Sequence, residues 1–206
     1  MKRNSLIYSI TQWFAHLIFF FLYQIETERE SEFPIEGPAI ILPKHQYWTD
    51  IPLVSLSFRF PLFFVAKKEL FRVPGIRSYL SLVGGIPLDR DRSIKTFSSI
   101  KYLLSSLKGA EKVVIFPEGT YVLEGVGAGK RRLIQMILGA QSELRQQIPF
   151  IPMGIRYGGR VGWRRRVEIR IGSPLFAEGK TDATLLTHQI IDEISRLSGL
   201  PKSHGA

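Results

Sequence analysis

The stretch that decides the fold is Ala39-Ile40-Ile41-Leu42-Pro43-Lys44-His45, which continues as Gln46-Tyr47-Trp48-Thr49-Asp50-Ile51-Pro52. Its first half is a short apolar run, typical of a strand that is buried on both faces. In its second half, Asp50 and Pro52 suit the N-cap and the first turn of a helix. The stretch therefore predicts a buried strand, a loop and a helix N-terminus.

Similar apolar runs recur along the chain and alternate with helical periodicity. Residues 62–65, 113–116 and 150–155 predict further buried strands, and 167–171 alternates like a strand with one solvated face. Amphipathic helices are predicted around 94–107 and 186–197, the second stopped by Gly199 and Pro201. This alternation predicts an α/β fold with a mostly parallel central sheet flanked by helices. In such sheets the functional site lies beyond the carboxyl ends of the strands.

Composition narrows the function classes. The chain has 206 residues, 45% of them hydrophobic, which is enough for one domain with a proper core and excludes a disordered chain. It carries 28 Lys and Arg against 18 Asp and Glu, a net charge of +10. Such an excess predicts an anionic partner: nucleic acid, an acidic membrane surface or a phosphorylated substrate. The absence of cysteine excludes a disulfide scaffold, Cys-ligated zinc and a cysteine nucleophile.

The N-terminal segment is apolar. Residues 5–25 contain no Asp, Glu, Lys or Arg, and a helix of that length would be about 30 Å long, the thickness of the hydrocarbon core of a bilayer. No small-residue cleavage site follows, so a secretory signal is not favoured. Ser5, Ser9, Gln12 and His16 share one stripe, which suits a helix lying in the interface or packed on its own domain as well as a spanning one.

These features predict a first unit over residues 1–32, made of a membrane-associated helix and an acidic connector (26–32), followed by one domain over 33–206. The basic character of the second part favours a monotopic arrangement at the cytoplasmic face of the inner (plasma) membrane. The sequence leaves spanning and monotopic arrangements both open.

Of the four histidines, His45 has a carboxylate at a suggestive distance along the chain. If the loop folds so that Asp50 meets the ring, one imidazole nitrogen donates to the carboxylate and the other accepts a proton. The alternative is that Asp50 only caps its helix and that His45 is an ordinary loop histidine.

Two more stretches are candidates for a functional site, and a third, Gly-rich stretch is not. Residues 116–120 (Phe-Pro-Glu-Gly-Thr) place a carboxylate in a turn directly after a strand, and residues 84–92 carry arginines that can clamp a phosphate. The Gly-rich run 125–130 resembles a phosphate loop, but Glu124 replaces its first glycine and Arg131 replaces the metal-binding Ser or Thr. No metal-ligand cluster or serine-hydrolase elbow is visible.

Taken together and in this order, these residues resemble the glycerolipid (lysophosphatidic acid) acyltransferase family. The resemblance covers residues 36–172 in four blocks: His45-x4-Asp50-x-Pro52, Lys68-Glu69-Leu70 through Gly84 to Asp89-Arg90, Phe116 to Thr120, and Ile148 to Pro152. It implies that His45 and Asp50 are catalytic. It also implies these substrate-binding residues: Arg90, Glu118, Gly119, Thr120, Lys68 and Lys130.

The resemblance further implies transfer of a fatty acyl group from acyl-CoA or acyl carrier protein to a lysolipid hydroxyl, most simply 1-acyl-sn-glycerol-3-phosphate. A thioester is already activated, so no cofactor, metal or covalent intermediate is expected. The expected partners are membrane lipids and the thioester donor, with no nucleic acid. Two positions depart from the pattern: Tyr121 replaces a usual arginine, and Pro87 a usual bulky residue.

The departure at Tyr121 keeps other acceptors open, lyso-ornithine lipid among them. Two further alternatives remain. One is a catalytically silent, lipid-binding member of the family. The other is a nucleic-acid-binding protein that uses the basic and aromatic cluster of residues 156–170.

Overall fold

A computed structural model describes residues 3–32, 36–88, 96–144, 146–177 and 182–203. The helices are α1 (Ser5–Leu22), α2 (Asp50–Leu56), α3 (Pro74–Leu82), α4 (Thr96–Lys108), α5 (Arg131–Leu144) and α6 (Ala183–Ser198), with a 3₁₀ helix at Lys68–Arg72. The strands are β1 (Tyr23–Arg29), β2 (Ala39–Pro43), β3 (Phe63–Lys67), β4 (Gly85–Leu88), β5 (Lys112–Val114), β6 (Phe150–Val161) and β7 (Arg164–Ile171).

The seven strands form one sheet in the order β1-β7-β6-β2-β5-β3-β4. Neighbouring strands are parallel except for the antiparallel hairpin of β6 and β7. The prediction of a mostly parallel sheet flanked by helices is therefore confirmed. Strands β2 and β5 lie side by side at the centre of the sheet, so the loops that follow them meet at its carboxyl edge.

Strand β2 shows why the central stretch reads as a continuous apolar run. Ile40 and Leu42 pack in the core shared with α4, α5 and α6, whereas Ala39 and Ile41 pack in the core shared with α1 and α2. Each of these four side chains is fully buried. A strand covered by helices on both faces must be apolar on both faces.

Helix α1 is the one helix in the described part of the chain that is long and apolar enough to cross a membrane. It lies along the domain: the Asn4 N–H donates to Leu82 O at its start, and its last residue leads directly into β1. Tyr8 and Phe19 are buried, and the Gln12 amide donates to Ser55 O at 2.9 Å. Most of its other large apolar side chains are exposed.

The acidic connector expected at 26–32 is for the most part a strand. Strand β1 pairs in parallel with β7, and its Glu26 and Glu28 form ion pairs with Arg166 and Arg170 at 2.7 and 3.2 Å. Opposite charges across two strands stabilise the pairing. Residues that look like an acidic linker are thus the electrostatic complement of a basic strand.

Candidate active site

The site lies where the loops after β2 and β5 meet. The Val122 N–H donates to His45 O at 2.9 Å, which joins the two loops through their backbones. Gly119 adopts φ +70°, a left-handed conformation that favours glycine and turns the second loop sharply after β5. Two of the sequence blocks, more than 60 residues apart, are thus brought into contact.

His45 and Asp50 form the pair that the spacing suggests. His45 Nδ1 lies 3.0 Å from Asp50 Oδ2, and the same oxygen accepts the backbone N–H groups of Gln46 and Tyr47 at 2.5 and 2.8 Å. The Asp50 side chain is fully buried, while that of His45 is 12% exposed. Because an ionised carboxylate only accepts, Nδ1 carries the proton and Nε2 is left with its lone pair.

The expectation that Asp50 is the N-cap of its helix is wrong. Helix α2 begins at Asp50, and Thr49 in the N-cap position makes no side-chain capping bond. The Asp50 carboxylate instead turns back to the N–H groups of the preceding loop. It thereby holds that loop, and His45 with it, in one conformation.

Tyr157 is a member of the site that the sequence reading missed. Its hydroxyl donates to Asp50 Oδ1 at 2.6 Å and lies 2.7 Å from Thr49 Oγ1. Burial, together with the Asp50 carboxylate, raises the pKa of Tyr157, so the phenol stays protonated and remains a donor. Tyr157 comes from β6, more than 100 residues along the chain, and no local spacing points to it.

A buried ion pair, Lys44 with Glu118, lies next to the His45–Asp50 pair and is the second feature that the sequence reading missed. Lys44 Nζ lies 2.9 and 3.0 Å from the two Glu118 oxygens and donates to His45 O and Val122 O, each at 2.8 Å. Neither the Lys44 nor the Glu118 side chain is exposed. Burial lowers the pKa of Lys44, and the Glu118 charge opposes that shift.

Glu118, expected among the substrate-binding residues, has no free acceptor position toward solvent. Besides Lys44, its oxygens accept the His45 N–H at 2.8 Å and the Gly127 N–H at 2.7 Å. Its role is therefore to hold the loop after β2, the loop after β5 and the Gly-rich run together. Because its hydrogen-bond partners all lie inside the protein, the Glu118 carboxylate is not available to bind a substrate.

An open groove of about 1260 Å³ runs past His45. Its lining is mostly apolar and comes from α1, α2, β3, α3 and α5. Of the predicted substrate-binding residues, Gly119, Thr120 and Lys130 line it together with His45. Its apolar lining includes Phe14, Ala15, Ile18, Phe19, Ile51, Pro52, Phe64, Val65, Leu70, Leu80, Val83, Leu88, Leu133 and Met136.

The remaining predicted residues are placed differently. Lys68 starts the 3₁₀ helix, and its neighbour Lys67 is the one that lines the groove. Arg90 lies outside the described residues. Tyr121 is exposed, and its ring centroid lies 4.3 Å from that of His45, while the Phe116 ring stacks on the imidazole at 3.8 Å.

The basic stretch behind the nucleic-acid alternative does not form one cluster. Tyr157 turns inward to Asp50, and the Arg165 guanidinium lies over the ring of Tyr157, 5.1 Å from its centroid. Arg166 and Arg170 pair with glutamates of β1. Part of the positive charge is thus neutralised within the sheet.

Among the residues that the structure describes, no group of three or more His, Asp or Glu is placed to hold a metal ion.

Comparison with known proteins agrees with this geometry. Residues 24–156 match the model of the acyltransferase family, and the chain belongs to that family. It is 28% identical over 152 residues to a 1-acyl-sn-glycerol-3-phosphate acyltransferase of Bacillus subtilis (strain 168), covering 73% of each chain. It is 30% identical over 125 residues to the chloroplastic 1-acyl-sn-glycerol-3-phosphate acyltransferase LPAT1 of Arabidopsis thaliana, 60% of this chain and 35% of that one.

The fold is also similar to a solved structure. The crystal structure of the 1-acyl-sn-glycerophosphate (LPA) acyltransferase PlsC from Thermotoga maritima superposes with a TM-score of 0.69. The match covers 92% of this chain and 77% of that one at 20% sequence identity. At that identity the likeness concerns the fold.

Proposed function

We propose that this protein transfers a fatty acyl group from a thioester, acyl-CoA or acyl carrier protein, to the free hydroxyl of a lysolipid. The proposed acceptor is 1-acyl-sn-glycerol-3-phosphate, and the product is phosphatidic acid. The observation that carries the proposal is a histidine, held by a buried aspartate, in the wall of a long apolar groove. The names of the relatives support the choice of acceptor.

The reaction needs a general base, because an alcohol is a weak nucleophile at neutral pH. His45 Nε2 takes the proton from the acceptor hydroxyl as its oxygen attacks the thioester carbonyl. The carbon–sulfur bond then breaks, and the proton passes from His45 to the departing thiolate. Asp50 holds the required tautomer and stabilises the imidazolium that forms. No covalent enzyme intermediate and no cofactor take part.

The groove supplies the place for a fatty acyl chain. Its apolar walls remove hydrocarbon from water, and each buried CH₂ contributes about 0.8 kcal/mol. Helix α1 forms part of the wall through Ala15, Ile18 and Phe19. The helix that is proposed to meet the membrane therefore also lines the path that a lipid takes to His45.

The lysolipid phosphate would bind to cations in the part of the groove formed by the start of α5 and the end of β3. Lys130 and Arg132 line it where α5 begins, and Lys67 lines it at the end of β3. The N-terminus of α5 adds a partial positive charge, which favours an anion there. A contribution of Arg90 to the same headgroup remains part of the proposal. An acceptor without a phosphate monoester, such as lyso-ornithine lipid, is the second candidate, because Tyr121 stands beside His45.

The exposed apolar side chains of α1 would bind the membrane. Both ends of α1 are attached to the same domain, at Leu82 and at β1, so the helix lies along the protein surface. That arrangement supports a helix embedded in the plane of the interface. The basic character of the chain is the reason for proposing the cytoplasmic face of the plasma membrane.

The test is an acyl-transfer assay over a panel of lysolipids with acyl-CoA and acyl carrier protein donors, with products identified by mass spectrometry.

His45→Ala should lower turnover by about 10²–10⁴-fold. Asp50→Asn should lower it by a similar or larger factor, because it favours the wrong tautomer of His45. His188→Ala, at an exposed position of α6, is the matched control and should retain activity. A folded His45→Ala protein with near-normal turnover would contradict the mechanism. A folded wild type that releases no thiol with any acceptor would favour the silent lipid-binding alternative.

A further inference from the structure

The tip of the β6–β7 hairpin (residues 160–164) is a feature that the proposed reaction does not use. Strand β6 is fully buried at its start and becomes exposed toward Val161. A two-residue turn follows, with Gly162 at φ +63°, and places Trp163 at the apex. Trp163 is 78% exposed, more than any other large apolar side chain that the structure describes. A large aromatic ring on such a turn contributes nothing to the core.

The tip lies beside the end of α1. The Arg164 guanidinium lies over the Phe20 ring, 5.5 Å from its centroid, and donates to Phe20 O at 3.4 Å. The adjoining Phe20, Phe21 and Leu22 are each more than half exposed. The tip and the apolar end of α1 therefore form one continuous surface.

The two arginines at the tip are not neutralised by acidic side chains of the described residues. Arg160 and Arg164 have no carboxylate partner in the described ranges, whereas Arg166 and Arg170, further along β7, pair with glutamates. Arg160 lies directly across the hairpin from Arg165, a like-charge pair that is unfavourable by itself. An anion bound at the tip would relieve that repulsion.

We propose that the hairpin tip is a second membrane contact. Trp163 enters the headgroup level of an anionic bilayer, Arg164 binds a lipid phosphate beside the end of α1, and Arg160 binds one at the hairpin tip. Tryptophan and arginine suit this depth, since each combines an apolar or stacking body with a polar group that stays hydrated. The continuous apolar surface formed with α1 favours a bilayer over a nucleic acid. The inference rests on the membrane association proposed above and adds a second point of attachment.

Binding to vesicles of phosphatidylcholine and phosphatidylglycerol, measured by sedimentation at low and high salt, tests the proposal. Trp163→Ala should weaken vesicle binding about tenfold at both salt concentrations, since the apolar contact of a ring inserted into the bilayer is not screened by salt. The double change Arg160→Ala and Arg164→Ala should weaken it about fivefold per cation at low salt and much less at high salt.

Matched controls remove similar groups elsewhere. Phe176 is exposed and follows Leu175, which pairs with the start of β6 at the far end of the hairpin. Lys101 and Lys108 are exposed on α4, across the sheet from α1. Phe176→Ala and the double change Lys101→Ala and Lys108→Ala should bind vesicles within about twofold of wild type.

Fluorescence reports the position of the ring directly. In a Trp13→Phe and Trp48→Phe protein, the remaining Trp163 should shift to shorter wavelength on vesicle binding and be quenched by lipids brominated high in the acyl chain. An unchanged emission spectrum in the bound protein would overturn the proposal. So would hairpin variants that bind vesicles like wild type but lose affinity for DNA.

Turnover separates this inference from the proposed reaction. With a micelle-dispersed lysolipid, the hairpin variants should keep kcat within about twofold of wild type, because residues 160–164 lie outside the catalytic machinery. Hairpin-dependent vesicle binding by a protein without acyl-transfer activity would refute the reaction and leave the membrane contact standing. Normal acyl transfer with vesicle binding that is indifferent to the hairpin would do the reverse.

Discussion

Replacement of Glu118 by glutamine is the sharpest test of how the two site loops are held together. The Lys44 ammonium has no exposed surface, and Glu118 is its countercharge. The two Glu118 oxygens also accept one backbone N–H each, from His45 and Gly127. A glutamine offers one oxygen, so its NH₂ group must face one of those N–H donors. The substitution therefore leaves a buried cation without its countercharge and one N–H without an acceptor.

Breaking a buried ion pair by removing one partner costs about 3–5 kcal/mol. For a domain of this size, each kcal/mol lowers Tm by about 2–4 °C. Glu118→Gln should therefore lower Tm by about 6–20 °C, as measured by circular dichroism. Glu26→Gln breaks an exposed ion pair with Arg166 and is the matched control, with an expected cost of at most about 1 kcal/mol.

The pH dependence of Glu118→Gln gives a second check. Without the countercharge, the pKa of Lys44 in the folded protein falls further below its value in the unfolded chain. Between those two pKa values the unfolded state binds more protons than the folded state, so the stability of the variant rises with pH relative to wild type.

A Glu118→Gln protein that melts within about 2 °C of wild type at neutral pH would refute the reasoning.

Two further predictions concern catalysis. Tyr157→Phe removes the hydroxyl that donates to Asp50 Oδ1 and should lower kcat about tenfold, with KM unchanged and the pH–rate profile shifted. The control Tyr102→Phe, on the exposed side of α4, should leave kcat and the profile unchanged. An unchanged kcat and profile in Tyr157→Phe would contradict a positioning role for Tyr157. Tyr121→Arg places a cation beside His45 and should leave KM for lysophosphatidic acid unchanged or lower it, without lowering KM for lyso-ornithine lipid. A higher KM for lysophosphatidic acid alone would favour an acceptor without a phosphate monoester.

Local patterns in the sequence are sufficient to predict much of the fold and to mark His45 and Asp50 as a candidate pair of the site. The continuous apolar run of β2 predicts a strand covered on both faces, because burial on two faces leaves no room for alternation. The spacing of His45 and Asp50 allows their contact, because five residues are enough to close a loop from a strand end onto a helix start, and the structure contains that contact. Both inferences use only patterns within a short stretch of the chain.

The other parts of the site depend on long-range packing, which no local spacing encodes. Tyr157 reaches Asp50 because β6 lies next to β2, and Glu118 reaches Lys44 because β5 lies on its other side. The same packing assigns β1 to the sheet rather than to a linker, since its acidic residues are stabilised by a basic strand that comes more than 130 residues later. The sequence therefore supplies the residues of the proposed general base, and the order of the strands decides which buried groups hold that base in place.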